Sequence, residues 1–278
     1  MPPISSKLEA NAHALVELGM PMVDEDREAE FRARRAGEIG MVHSWDLATG
    51  ADGPGTRMTI FLSGCPLRCL YCQNPDTWMT RDGTPVALTD IVTRISRYEG
   101  VFRATGGGVT VSGGEPLLQP KFVERLFAEC AARGIHTALD TSGFLGAGAS
   151  DDLLDHTSLV LLDVKSGLES DYQRTTTRSL QPTIDFGNRL HANGNPVWVR
   201  FVLVPGLTDG WDNVEAAADI VAPWTNVERL EVLPFHQLGR SKWERLGREY
   251  QLDDTRSPEP ELVERVREQF RSRGITTF

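Results

Sequence analysis

Nowhere does the chain hold an apolar run near the roughly 20 residues that cross a bilayer. Its longest such runs, typified by Leu159-Val-Leu-Leu162, have the length of a strand, so no membrane association is expected. No apolar stretch follows Met1-Pro-Pro-Ile-Ser-Ser-Lys7, so no secretory signal is read and the cytoplasm is the expected compartment. Basic residues are outnumbered: 29 Lys and Arg against 39 Asp and Glu give a net charge of −10, which repels a phosphate backbone and argues against nucleic acid as a partner. Cysteines number only four, at 65, 69, 72 and 130, too few and too clustered for a disulfide framework in 278 residues. Internal repeats and low-complexity tracts are absent. What remains is ordinary globular composition, 40% hydrophobic and 24% charged, in a chain long enough for one large α/β core.

Residues 1–37 are polar and helix-prone and carry no chemical motif; they read as an extension to a domain spanning 38–278. From Met58 onward, strand-like runs alternate with amphipathic stretches, the pattern of βα units on a largely parallel sheet. Strands are expected at 58–63, 109–112, 136–140, 159–163, 197–204 and 228–233, and a short closing strand at 275–278. Helices are expected at 88–98, 121–133, 183–192, 213–221 and 259–273, with Gly100, Gly134, Gly194 and Gly274 at their exits. Six such units build either an open doubly wound sheet or a partial barrel, and periodicity alone does not separate them.

Three cysteines follow the first expected strand in Gly64-Cys-Pro-Leu-Arg-Cys-Leu-Tyr-Cys-Gln-Asn74, with spacing CxxxCxxC. A structural zinc site wants four closed ligands, and no second cysteine pair exists. Cys130 lies in a helical run beside Val123, Leu126 and Phe127, where a small core residue is the expected role. Three thiolates suit a [4Fe-4S] cube with one iron left free of protein ligands, and a free iron is a place for a small molecule to bind.

CxxxCxxC with Tyr71 just before the last cysteine resembles the radical S-adenosylmethionine superfamily. Further segments are similar, in order, to the pyruvate formate-lyase activating enzymes of that superfamily, the activases of glycyl radical enzymes. These are Asp52-Gly-Pro-Gly55, Gly106-Gly-Gly-Val-Thr-Val-Ser-Gly-Gly-Glu-Pro116, Leu139-Asp-Thr-Ser-Gly143, Leu162-Asp-Val-Lys165, Val199-Arg-Phe-Val-Leu-Val-Pro-Gly206 and Leu233-Pro-Phe-His-Gln-Leu-Gly239. The resemblance covers about residues 39–278. It implies that Cys65, Cys69 and Cys72 hold the cluster and that S-adenosylmethionine chelates its open iron. An electron then breaks the sulfonium bond, and the 5′-deoxyadenosyl radical takes a hydrogen from a glycine Cα of the partner, pyruvate formate-lyase.

Further roles follow from the same resemblance. Gly113, Gly114 and Glu115 would receive the methionine amino group, with Tyr71, Asn74, Lys165, Arg200 and His236 as other ligand contacts. Asp140, Thr141 and Asp163 would hold a monovalent cation, and Asp52 would lie near the partner's glycine loop. The electron donor implied is a flavodoxin or ferredoxin, and the chain is expected to act as a monomer. Two readings come from the residues themselves. Arg200 sits in the most apolar strand, where an unpaired charge is expensive unless it faces an anion or a polar lumen. Nearly all these residues fall at the carboxyl ends of expected strands, which favours a partial (β/α)6 TIM-like barrel.

Four functions stand side by side at this point: an activase of pyruvate formate-lyase or of another glycyl radical enzyme, a radical enzyme acting on a small molecule, an electron carrier, and a zinc-binding module. Similar activases with extra ferredoxin-like clusters carry further cysteines between Cys72 and Gly106; by that resemblance their absence here implies one cluster and favours the pyruvate formate-lyase type over several other activases. Gln73 departs from the His common at that place in similar activases.

Overall fold

The computed structural model describes residues 25–278, so the part of the extension before residue 25 lies outside the described residues. Helix α1 (Glu25–Arg35) leads into β1 (Ile39–Thr49), β2 (Thr56–Leu62) and β3 (Thr84–Ala87). Then follow α2 (Leu88–Ser96), α3 (Glu99–Thr105), β4 (Gly108–Gly113), α4 (Pro120–Ala131), β5 (His136–Thr141), α5 (Asp151–Asp155) and β6 (Leu159–Asp163). The chain continues through α6 (Glu169–Thr176), α7 (Gln181–Asn193), β7 (Val197–Leu203), α8 (Trp211–Val221), β8 (Val227–Pro234), α9 (Arg240–Arg245) and α10 (Pro260–Arg271).

One sheet runs in the order β3-β1-β2-β4-β5-β6-β7-β8. From β2 to β8 its six strands are parallel, while β1 and β3 extend the β2 edge antiparallel. The sheet is a partial (β/α)6 barrel that does not close. Residues 275–278 meet the β8 edge in a single parallel bridge, Leu230 to Thr277, and no closing strand forms. Strands β1 and β3 were invisible to an alternating-pattern reading because β1 mixes buried Met41 and Val42 with an exposed second half, and β3 has only four residues. Gly100 lies inside α3 rather than ending a helix, whereas Gly194 caps α7 in the left-handed region at φ 73. The expected helix at 88–98 breaks after Ser96, and α3 follows it.

Alternation along the strands decides what faces the concave side. In β7, Val197, Val199, Phe201 and Leu203 are buried against the outer helices, with Phe201 edge-on to Phe270 of α10 at 5.4 Å. Period two therefore turns Trp198, Arg200 and Val202 inward. The same count in β5 and β6 makes a small apolar floor of Ala138, Leu159 and Leu161 beside Trp198. Two residues further along the strands, the next layer is polar: Asp140, Asp163 and Arg200, with Ser112 of β4 donating to Asp140.

Arg57 plugs the amino-terminal end of the lumen with no exposed surface. Its Nε donates to Thr110 Oγ1 at 2.6 Å, one Nη donates to the Val109 carbonyl, and the other lies 3.2 Å from His136 Nδ1. Burial, then the neighbouring guanidinium, hold the His136 imidazole down at about 4. The imidazole is thus neutral in the fold, its Nδ1 accepting from Arg57. Between its ordinary value of 6.5 and about 4, the unfolded chain binds a proton that the folded chain does not, so acid removes stability across that window. In thermal melts, His136→Gln is expected to flatten the loss of Tm between those pH values; identical wild-type and variant profiles would remove the plug from the acid response.

Candidate active site

The loop after β2 carries the cysteines across the carboxyl ends of the parallel strands, and both of its sides are tied down. Gly64 N–H donates to the Thr77 carbonyl at 2.6 Å and Cys65 N–H to that of Trp78 at 3.1 Å. Arg68 and Leu70 N–H groups reach the carbonyls of Thr176 and Thr175. On a third side, the Trp243 indole N–H donates to the Cys72 carbonyl at 2.9 Å, and Trp243 stacks edge-on to Trp78. Cys65, Cys69 and Cys72 line one cavity together with Tyr71, Asn74, Gly113, Gly114, Asp140, Thr141, Asp163, Lys165, Arg200 and His236. Of the sequence-expected site residues, only Glu115 and Asp52 stay off its wall.

Burial raises all three thiols, with Glu115 adding to the rise at Cys65. Cys69 is pushed up to about 12 by burial even though the Lys165 ammonium pulls the other way. The free chain therefore holds neutral thiols, and binding of a metal group would release their protons.

The carboxyl ends of β5, β6 and β7 form a charge layer. Arg200 lies 3.3 Å from Asp52, 3.4 Å from Asp140 and 3.4 Å from Glu231. Burial opposes the guanidinium charge, but the surrounding carboxylates outweigh it and raise its pKa. Lys165 pairs with Asp163 at 2.8 Å; there too burial works against the charge, and Asp163 together with Tyr71 and Cys69 outweighs it and raises the pKa. Burial pushes the Asp140 carboxyl up to about 7, against the pull of Arg200. Arg200 and Lys165 thus sit among four carboxylates, of which Glu231 also pairs with Arg229 at 2.7 Å. The Thr141 hydroxyl donates to Glu115 Oε1 at 2.6 Å and accepts from Gly143 N–H at 3.0 Å.

The Gly113-Gly114 turn owes its glycines to the protein itself. Gly113 has φ +112, and an added Cβ would stand 2.3 Å from Leu62 N; at Gly114 it would stand 2.3 Å from the Gly64 carbonyl oxygen. This close approach locks the end of β4 against the start of the cysteine loop. Glu115 turns away from the cavity and is 1% exposed. Its carboxylate accepts from Leu117 N–H, Thr141 Oγ, Ser142 N–H and Ser142 Oγ, joining the ends of β4 and β5. Asp52, at φ 54, folds below the cavity onto Arg200 and Thr59.

Residues 59–219 match the Radical SAM superfamily. Pyruvate formate-lyase 1-activating enzyme of Escherichia coli (strain K12) is 41% identical over 231 residues, 82% of this chain and 94% of the relative. The chain belongs to the radical SAM superfamily, among its pyruvate formate-lyase activating enzymes. Pyruvate formate-lyase-activating enzyme of Staphylococcus aureus (strain USA300) is 43% identical over 81% of this chain and 92% of its own length. A radical SAM methyltransferase from Sphaerobacter thermophilus shares the fold at a TM-score of 0.58, with 15% identity, over 96% of this chain and 91% of that one.

Radical SAM proteins use a [4Fe-4S] cluster and S-adenosylmethionine, and the donor set here fits both. The three thiols share a wall without converging: among the described residues no three His, Cys, Asp or Glu side chains could grip a single ion. Ligands that each take a different iron of a cube have no need to converge, whereas a tetrahedral zinc site does. The Tyr71 hydroxyl is buried on the same wall with no hydrogen-bond partner, a polar atom that a bound ligand would satisfy.

Sequence reasoning missed Lys242 and Trp243. Lys242 Nζ donates to Asn74 Oδ1 at 2.7 Å and pairs with Asp76 at 3.2 Å, and Asp76 in turn lies 3.2 Å from His43. These contacts join positions more than 160 residues apart, and nothing in a Lys-Trp pair on a short polar helix announces them. Gln73, the departure noted in the sequence, donates to the His236 carbonyl at 3.0 Å and so ties the cysteine loop to the loop after β8.

Glu115→Gln puts an amide in place of the carboxylate that four donors now share. It is expected to cost about 1–3 kcal/mol in urea unfolding. A stability equal to wild type would show that the buried carboxylate does not hold the β4 and β5 ends together.

Proposed function

We propose that the chain activates pyruvate formate-lyase: S-adenosylmethionine is cleaved reductively at a [4Fe-4S] cluster, and the 5′-deoxyadenosyl radical abstracts a glycine Cα hydrogen of that glycyl radical enzyme. The observation that carries the reading is the cavity at the strand ends, whose lining three thiols share with Lys165 and Arg200. It gains weight from relatives named for this activity, at 41–43% identity over more than nine-tenths of their length.

On this reading, Cys65, Cys69 and Cys72 hold three irons, and the fourth is left to the ligand. When bound, the cluster supplies the electron and S-adenosylmethionine the radical; the remaining work falls to the chain. A dicationic cube and three thiolates leave one net negative charge, which reduction doubles. Lys165 and Arg200 stand on the same wall to offset that charge and the ligand carboxylate. Asp140, Thr141 and Asp163 are assigned to a monovalent cation, since each lines the cavity and an added cation would ease the carboxylate excess there. Gly113 and Gly114 offer backbone to the ligand's amino group, while Glu115 keeps their turn in place. Asn74, held by Lys242, borders the site together with Tyr71 and His236. Asp52 would meet the partner's glycine loop only through the lumen, behind Arg200.

Residues 38–278 form the catalytic unit in this proposal, with 1–37 as its extension. A flavodoxin or ferredoxin gives the electron, and the enzyme works as a cytoplasmic monomer. No helix among the described residues is long and apolar enough to cross a membrane.

The test is anaerobic incubation with reductant, S-adenosylmethionine and pyruvate formate-lyase. A glycyl radical signal in electron paramagnetic resonance is expected, and its absence with a fully loaded cluster sinks the reading. Cys69→Ala is expected to lose the visible absorbance of the reconstituted cluster; wild-type iron content in that variant counts against the ligand assignment. Arg200→Ala is expected to keep its iron and lose about tenfold or more in S-adenosylmethionine affinity. Unchanged affinity would return Arg200 to a purely structural role in the lumen.

A further inference from the structure

The cysteine loop has an outer side as well as a cavity side, and the outer side carries unneutralised positive charge on a chain whose net charge is −10. Arg68 Nη1 donates to the carbonyls of Cys65 and Leu67 at 2.7 and 2.6 Å. Arg178, exposed, donates through Nε to the Pro66 carbonyl at 2.8 Å. Arg248, also exposed, stands 4.9 Å from the Trp78 ring, and Arg68 stands 4.8 Å from the same ring. None of these three arginines lines the cavity. None joins an ion pair among the described residues, while nearby Arg174 pairs with Asp171 and Arg240 with Glu244 and Asp253.

Arginines that form no ion pair among the described residues and cluster around the Cys65–Cys69 loop and Trp78 of an acidic protein make a field that steers and orients a negative partner. Their position narrows the class of partner. Two of them touch the backbone of the loop between Cys65 and Cys69, so a partner seated there comes close to the thiols without entering the cavity that substrate and radical chemistry occupy. Arginine also favours protein interfaces, through planar hydrogen bonding and stacking.

From this we infer that the outer face of the cysteine loop, marked by Arg68, Arg178 and Arg248, is the docking surface for an acidic protein that carries a low-potential one-electron centre. The inference rests on the radical SAM reading above and adds to it the face through which the electron arrives. The carrier gives up one electron and is oxidised by one. That electron crosses the loop to the metal group held by the three thiols, with no proton transferred and no covalent bond made. The activated partner enters from the cavity side, so the two partners have separate faces.

The experiment uses the cluster-loaded enzyme with a flavodoxin as the acidic probe. For the wild type, the dissociation constant is expected to rise with added salt, as screening predicts. The double variant Arg178→Glu/Arg248→Glu is expected to bind about tenfold or more weakly at low salt and to lose most of that salt dependence. Bleaching of the cluster by dithionite, a small reductant that needs no docking, is expected to keep its wild-type rate, while bleaching by reduced flavodoxin slows. Unchanged affinity and salt slope overturn the proposal. So does equal slowing with both reductants, which would mean that the arginines act on the cluster rather than on a partner. Should the glutamate pair fail to fold, Arg178→Gln/Arg248→Gln serves instead, and wild-type affinity in that variant is equally fatal. Failure to form a glycyl radical on pyruvate formate-lyase with intact flavodoxin binding would sink the activase reading and leave this surface standing.

Discussion

Parallel strands present alternate residues to opposite faces, and in this chain that constraint places the strand-borne charges of the lumen, Asp140, Asp163 and Arg200, to which loops add Asp52 and Lys165. The outer set of each strand is committed to helices by burial. The inner set is therefore fixed, and it reads as an apolar floor followed, two residues on, by Ser112, Asp140, Asp163 and Arg200. A shift of one residue in β5, β6 or β7 would bury the charge of Asp140, Asp163 or Arg200 on the apolar face and lift Leu139, Leu162 or Val199 into the site. The chemistry at the strand ends is thus secured by the packing on the far side of the sheet.

Charge inside such a layer is tolerable only when it is compensated. The chain solves this with mixed signs: Arg200 faces Asp52, Asp140 and Glu231, and Lys165 faces Asp163. The balance tips towards acid, which suits a site meant to gain a cation. Burial, with Asp163 and Asp52 beside it, holds the Asp140 carboxyl up at about 7 against the pull of Arg200, so its charge responds to what arrives beside it. Glu115 illustrates a different economy. Its carboxylate is fully occupied by four donors and spans β4 and β5. Its service to the ligand-facing glycine turn is mechanical.

The six parallel strands were legible in the sequence because each is an apolar run bounded by turn residues, and the carboxyl-end grouping of Gly113, Asp140, Asp163 and the cysteines followed from strand direction alone. Strands β1 and β3 were not legible: antiparallel additions at an edge need neither a long apolar run nor a crossover helix. The cysteine motif disclosed its ligands through local spacing. Lys242, Trp243 and the Glu115 knot stayed hidden because their partners are set by the tertiary fold. The resemblance placed Glu115 with Gly113 and Gly114 at the ligand's amino group; what residue type did not disclose is that its side chain turns inward, away from the cavity.

An incomplete barrel suits this site for a physical reason. A closed eight-strand barrel fills its interior with its own side chains. Here the arc stops at β8, the tail meets that edge in one bridge, and β1 and β3 continue the other edge antiparallel. Among the described residues the lumen opens at the strand ends, in the cavity lined by the cysteines. A reactive radical must be kept from water, and an open arc cannot exclude water unaided. Exclusion therefore falls to whatever fills the opening, and on the function proposed above a polypeptide loop brought by the partner would fill it while presenting the atom to be attacked. The same argument keeps the electron donor out of the cavity. It would have to leave before the substrate loop could enter, whereas the outer face of the cysteine loop, with Arg178 and Arg248 exposed beside it, imposes no such order.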